Sequence, residues 1–319
     1  MRMTVLASGS KGNSTVISSS STRILVDAGL SCREILKRMA LAGEDPATLD
    51  AILITHEHID HVAGLSVLAR RLRIPVFFTE PTHRAWIRML TPRTTMTYSK
   101  WLEHIQKEKE ARAAAAAEKA AYDLVAEAAS IAHVAAEAEA LDSTLSLTRS
   151  IYAGADPDPD AEEPCDVAAG SGAVVKKGDR TLLPAVEYFH SGTDFSIGDI
   201  AISPFTIPHD AADPCGFVFE AEGIRMALAT DLGYMPPNVK SALRRVDVLL
   251  LESNHDLEML RDGPYPWSVK QRVLSRVGHL SNDATAEFLE KDYDGGAAYI
   301  VLGHLSEANN APELARIAA

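Results

Sequence analysis

At 319 residues and 46% hydrophobic, the chain can bury a sizeable core, either as one large domain or as one domain carrying an insertion. No run approaches the roughly 20 apolar residues that cross a bilayer, and the opening MRMTVLASGSKGNS lacks an apolar signal core, so a soluble, cytoplasmic enzyme with no membrane partner is expected. A net charge of -13 argues against a polyanionic partner until it is located: 15 acids and 5 bases fall between residues 103 and 166, leaving 29 acids and 26 bases for the rest, which has room for a basic face.

Residues 3–7 read as a short strand, and the SGSKGNS loop after it is rich in backbone donors that either hold a phosphate or make a tight turn. Ser8, Ser10 and Asn13 are its candidate substrate contacts. Residues 15–18 and 23–26 read as a hairpin that delivers Asp27 to a strand end. Ser31 can cap a helix running to about Ala42, with Gly43 ending it. The apolar run 51–54 is too short for a helix and reads as a buried strand that stops at THEHIDH. There His56, His58, Asp60 and His61 place three imidazoles and a carboxylate within six residues, donors that suit zinc, manganese or iron. On an extended loop His56 and His58 point one way with Asp60 beside them, while His61 breaks the alternation and turns toward a second ion. A helical HExxH zinc site is disfavoured, because Asp60 stands where its second histidine belongs.

A helix over 64–72, a strand over 74–78 and a helix over 81–90 follow, the last carrying His83 in a structural or solvent-facing role. From about Trp101 the composition shifts, with 16 alanines among residues 111–140. Leu124, Ile131, Val134, Leu141 and Leu145 give this helical stretch a narrow apolar stripe, the kind that seats a helix on a partner. DPDPDAEEPCD closes it as a solvated acidic linker. The expected organisation is therefore 1–100, an Ala-rich insertion with linker over 101–165, and 166–319. The insertion is a candidate for dimerisation or protein docking, and His104 and His133 on it are assigned no chemistry. Cys32, Cys165 and Cys215 are widely spaced with no CxxC pair, so neither a disulfide framework nor a thiolate metal site is supported.

Alternating patterns return over 195–197, 200–207, 216–221 and 224–229, reading as strands of a second sheet. His209 follows one of these strands between two turn residues, Pro208 and Asp210, and Asp231 follows another. A helix over 237–245 leads to a strand over 246–251, then to Glu252, His255 and Asp256 of ESNHD and to His279, Ser281 and Asn282 of GHLSN, the last two being further candidate substrate contacts. Arg261, Lys270, Arg272 and Arg276 form the densest uncompensated basic run, with Arg272 and Arg276 on one helical face. They are either phosphate contacts or a solvated face, and Trp267 is either core or a stacking platform.

The motif HxHxDH at His56 to His61 resembles that of the metallo-β-lactamase superfamily. That resemblance implies an α/β fold, a four-layer αββα sandwich with two metals at one sheet edge, here with the Ala-rich helical insertion. It also implies that His209, Asp231 and His304 complete the ligand set of His56, His58, Asp60 and His61, and that Asp27 orients a ligand histidine. The lactam hydrolases of the superfamily place a cysteine where Asp231 stands, which disfavours lactam hydrolysis. LASGSKGNS, IPHDAADP, ATDLGY, ESNHD, YPWSVKQRVLS and LGHLSEANN together are similar to the YycJ/WalJ branch, regarded as DNA exonucleases and more distantly related to ribonuclease Z. The implied activity is a two-metal phosphodiesterase: two divalent ions, Zn2+ or Mn2+, bring a bridging water from pKa 15.7 toward about 7, and the resulting hydroxide attacks a phosphodiester. Asp60, His279 and Glu252 are then the catalytic candidates, with His279 as general acid and Glu252 orienting it. A 5′ to 3′ exonuclease on nucleic acid, DNA ahead of RNA, is the leading expectation. An RNA-processing nuclease, a small phosphodiesterase, a glyoxalase-type thioesterase and a non-catalytic metal binder are the alternatives.

Overall fold

The computed structural model describes residues 1–91, 106–107, 109–110 and 179–319. The apolar stripe, the acidic linker, His104, His133 and Cys165 lie outside them. Among the described residues, 1–91 and 179–319 belong to one compact unit.

This unit is built on two six-stranded mixed sheets. In the first, β1 (Arg2–Ala7), β2 (Ser14–Ser18), β3 (Arg23–Val26), β4 (Ala51–Leu53), β5 (Val76–Phe78) and β6 (Val186–Tyr188) lie in chain order. In the second, the order runs from β12 (Tyr299–Gly303) through β11 (Val248–Glu252), β10 (Ile224–Ala229), β9 (Cys215–Ala221) and β8 (Ile200–Thr206) to β7 (Phe195–Ile197). Period-two alternation divides the apolar side chains between layers. Ile17, Ile24, Val26, Ala51 and Leu53 meet Ile202, Phe217, Phe219, Leu228 and Leu250 between the sheets. Val16, Leu25 and Ile52 face the other way, toward α1 (Cys32–Leu41), α3 (Leu65–Leu72) and α4 (Glu80–Leu90). On the second sheet Ala227, Ala229, Leu249 and Leu251 pack on α5 (Pro237–Ala242) and α8 (Asn282–Lys291). Strands covered on both faces are apolar at nearly every position, as β4, β5 and β11 are. The layers are therefore αββα, as expected.

Ser31 caps α1 by accepting from the Glu34 N–H at 3.3 Å, and the hairpin places Asp27 just past β3. Two readings of the sequence need correction. Asp60 and His61 do not continue an extended loop, because His58 is the N-cap of a short helix α2 (Ile59–Val62) and the His61 N–H donates to the His58 carbonyl at 2.8 Å. The first sheet also gains β6, which pairs in parallel with β5. The stretch after the insertion thus supplies a strand to the first sheet before it builds the second.

Candidate metal centre

Six of the site residues lie at or just past the C-terminal end of a strand, on one edge of the sandwich. Asp27 follows β3, His56 follows β4, His209 follows β8, Asp231 follows β10, Glu252 ends β11 and His304 follows β12. Asp27, Asp231 and His304 have positive φ of 61°, 65° and 56°. That conformation turns the chain sharply at the strand end, costs about 1 kcal/mol or more for a residue with a side chain, and is a form of strain concentrated at functional positions.

The candidate ligand atoms converge in overlapping groups, each with its members within 4.8 Å: His56, His58 and His209 in one, Asp60, His61 and His304 in another, and Asp231 grouped with His56 and His61 and again with Glu252, His279 and His304. Asp231 therefore stands between the two triads. Buried acceptors fix the imidazoles. His61 Nδ1 donates to Asp27 Oδ2 at 2.8 Å, His304 Nδ1 donates to Glu252 Oε1 at 2.9 Å, and His209 Nδ1 donates to the Gly278 carbonyl at 3.2 Å. A proton held on Nδ1 leaves the Nε2 lone pair turned into the cluster, the way a ligand histidine is oriented by a carboxylate behind it. His58 is reversed, with Nε2 near the Asp210 carbonyl at 3.2 Å and Nδ1 toward His209.

The donor set fits divalent cations on a further observation. His56 Nε2, Asp231 Oδ2 and His304 Nε2 are buried with no hydrogen-bond partner, an arrangement that costs about 1–3 kcal/mol per atom unless something binds there. Burial pushes the His56 and His209 imidazoles below their ordinary range, which favours the neutral, ligating form. Burial also opposes charge on His304, but Asp231, Asp60 and Glu252 outweigh it and lift its pKa to about 10. For Asp231, burial is likewise outweighed, by His304 and His61, and its carboxyl lies well below the usual range.

His279 stands beside this set. Its ring centroid lies 5.2 Å from that of His209 and 5.1 Å from that of His304. Its Nδ1 donates to Glu252 Oε1 at 2.8 Å. Glu252 is fully buried, and its other oxygen accepts from the Leu232 N–H at 2.6 Å and the Leu280 N–H at 3.3 Å. A carboxylate with both oxygens so engaged orients two histidines. Burial works against a charge on His279, yet Glu252 outweighs it and holds the imidazole above its ordinary pKa.

The substrate contacts expected from sequence fare unevenly. The Asn13 N–H donates to the Asp60 carbonyl at 2.7 Å, and its Nδ2 lies 2.9 Å from His61 Nε2 and 3.3 Å from Asp60 Oδ2. Ser8 Oγ accepts from the His304 N–H at 2.7 Å. Both brace ligands, while Ser10 is exposed. Ser281 caps α8 by accepting from the Ala284 N–H at 3.1 Å, and Asn282 is buried with its amide tied to Ser253 and Asn310. Asn282 is thus a packing residue and not a contact for substrate. His83 is buried against Phe78 and bonds Tyr188 at 2.8 Å, a structural role. His255 is buried too, its pKa driven down to about 4 by burial. Of the basic run, Lys270 is buried and donates to the Arg261 carbonyl, Arg261 pairs with Asp262, and Arg272 pairs with Asp210 at 2.6 Å. Trp267 is 68% exposed, which rules out a core role. Thr55 escaped the sequence reading: its hydroxyl donates to Asp27 Oδ2 at 2.9 Å and touches Nδ1 of His56 and His61 at 3.0 and 3.1 Å. The only signal was its place just before His56.

The chain is 30% identical over 316 residues to the exodeoxyribonuclease WalJ of Streptococcus pneumoniae, covering 99% of this chain and 86% of that protein. It is 29% identical over 317 residues to the exodeoxyribonuclease YycJ of Bacillus anthracis, covering 99% and 87%. The fold resembles that of the metallo-β-lactamase fold protein YhfI from Bacillus subtilis, with a TM-score of 0.55 and 12% identity over 99% of this chain and 90% of that one. The model of the metallo-β-lactamase superfamily matches residues 7–304, a span that runs from the first strand to His304, and the chain belongs to that superfamily.

Proposed function

We propose that this protein is a two-metal phosphodiesterase, a nuclease that removes nucleotides from DNA ends in the 5′ to 3′ direction in the cytoplasm. The observation that carries the reading is His279, an imidazole held by a fully buried glutamate beside two ligand histidines and itself 22% exposed at its side chain. A thioesterase needs no such proton donor at this place.

His56, His58 and His209 would hold one cation and Asp60, His61 and His304 the other, with Asp231 reaching both. When bound, Zn2+ or Mn2+ supplies Lewis acidity toward the phosphate and a nucleophile drawn from water. The protein's own groups do the rest. Asn13 and Thr55 brace Asp60 and His61, and Asp27 sets the His61 tautomer. Attack of a water-derived oxygen on phosphorus breaks the P–O bond to the leaving nucleoside, whose oxygen needs a proton. His279 gives that proton, and Glu252 keeps the imidazole charged until it does, a role that typically contributes 10²–10⁴-fold.

The test is digestion of end-labelled single- and double-stranded DNA and RNA with zinc- or manganese-loaded protein, beside Asp60→Ala and His279→Ala. Stepwise release from 5′ DNA ends, lost in Asp60→Ala, is the expected result. Turnover of a thioester with every polymer left intact would defeat the nuclease reading.

A further inference from the structure

The helix α7 (Trp267–Val273) and the turn after it form a rim on the metal centre that the catalytic reading does not use. Three backbone contacts hold it there: the His279 N–H donates to the Val273 carbonyl at 2.9 Å, the Asp210 N–H to the Val277 carbonyl at 3.2 Å, and a Cβ on Gly233 would lie 2.2 Å from the Arg276 carbonyl. A segment clamped this closely to His209, Asp231 and His279 has no need to be apolar outside. Yet Trp267, Val269, Leu274 and Val277 are 68%, 39%, 51% and 43% exposed. The guanidinium of Arg276 lies 4.3 Å over the Tyr234 ring, with no carboxylate partner among the described residues. Between Asp262 and Asp283 the chain carries no Asp or Glu, in a protein of net charge -13.

We propose that α7 and its following turn dock a single-stranded nucleic-acid end, with a base stacked on Trp267 and a phosphate on Arg276; this rests on the nuclease reading above. The chemistry selects that occupant. Exposed aromatic and aliphatic groups interleaved with arginine, on a segment that itself carries no carboxylate, suit stacked bases on a phosphate backbone. A duplex hides its base faces, so a rim that stacks bases takes an unpaired end. Trp267 stands five residues before Arg272, whose Nε donates to Asp210 beside the ligand His209. On a helix that is roughly 7 Å of rise between Trp267 and Arg272.

The experiment measures binding of labelled oligo-dT by fluorescence anisotropy in the Asp60→Ala background, and kcat/KM on oligo-dT and on bis(p-nitrophenyl) phosphate in the metal-loaded protein. Trp267→Ala should weaken oligo-dT binding about tenfold, within the range of one lost base stack, and Trp267→Phe should recover most of it. The ratio of kcat/KM on oligo-dT to that on the small diester should fall by a similar factor. Arg276→Gln should flatten the slope of log affinity against log salt by about 0.7. Unchanged oligo-dT binding in Trp267→Ala, equal losses on both substrates, or a change of oligomeric state on substitution would overturn the docking platform while leaving the nuclease intact. Unsubstituted protein that cleaves the small diester but neither binds nor cleaves any polymer would overturn both.

Discussion

At the scale of single residues, Glu252 is the most informative position, since one buried carboxylate serves both a ligand and the proposed acid. Glu252→Gln should cost on two counts. Metal affinity should fall about 10- to 100-fold as His304 loses its orienting charge, read by competition with a chromophoric chelator. The alkaline limb of kcat should also move to lower pH. Its sign follows from His279: an imidazole raised above its ordinary pKa is charged below that value and loses its proton as pH rises through it, so removing the carboxylate brings that loss earlier. His279→Ala should lower kcat about 10²–10⁴-fold with metal content retained. THEHIDH was legible because four candidate ligands sit within six residues. The pairing of Glu252 with His279 spans 27 residues of chain, so only resemblance to known relatives could suggest it. Thr55 and Asn13 serve through short contacts that residue type alone does not announce. Cys215 went the other way, read as an ordinary residue and found so: burial drives its thiol up to about 12, and iodoacetamide at pH 8 should leave it unmodified in the folded protein.

At the scale of elements, placement depends on close backbone approach where strand ends hand over to loops. A Cβ on Gly29 would fall 1.6 Å from the Asp60 carbonyl oxygen, in the same place where the Gly29 N–H donates to the Asn13 carbonyl. Backbone cannot yield as a flexible side chain does. Gly29→Ala should therefore displace α2, lowering stability by about 1–3 kcal/mol in urea unfolding and weakening metal binding beyond that stability loss. Both effects absent would mean the loop has more room than its contacts imply. The sequence could place the strand before His56 from its apolar run, but α2 is a single turn whose period never repeats, so an extended loop was the natural reading. β6 was invisible for a related reason: its three residues include Glu187 and an exposed Tyr188, and pairing with β5 is what makes them a strand.

At the scale of the sandwich, the two edges are held by opposite chemistry and should respond to opposite insults. Away from the metal centre, the β2–β3 turn is tied to the second sheet by Glu222, which accepts from the Met1 ammonium at 2.5 Å and the Ser20 N–H at 2.7 Å, and by Asp199, which accepts from Ser19 Oγ at 2.7 Å. These bonds, together with the Thr22 hydroxyl that acts most strongly on Asp199, depress both carboxyls to about 2. A depressed folded pKa means the contribution is complete above the unfolded carboxylate range near 4 and is lost as pH falls through about 2. At the other edge the candidate ligand atoms His56 Nε2, Asp231 Oδ2 and His304 Nε2 are buried without a hydrogen-bond partner. Cations that bind only the folded state stabilise it by about 2.7 kcal/mol per site at a hundredfold excess over Kd. Chelation should thus lower Tm and raise amide exchange first at α2, residues 209–212 and 304–306, leaving the β2–β3 turn protected. Acidification of the chelated protein from pH 4 to 2 should then open the β2–β3 turn, and Asp199→Asn should weaken that acid response. If chelation left exchange at α2 unchanged, the cluster would not be the metal centre that its geometry describes.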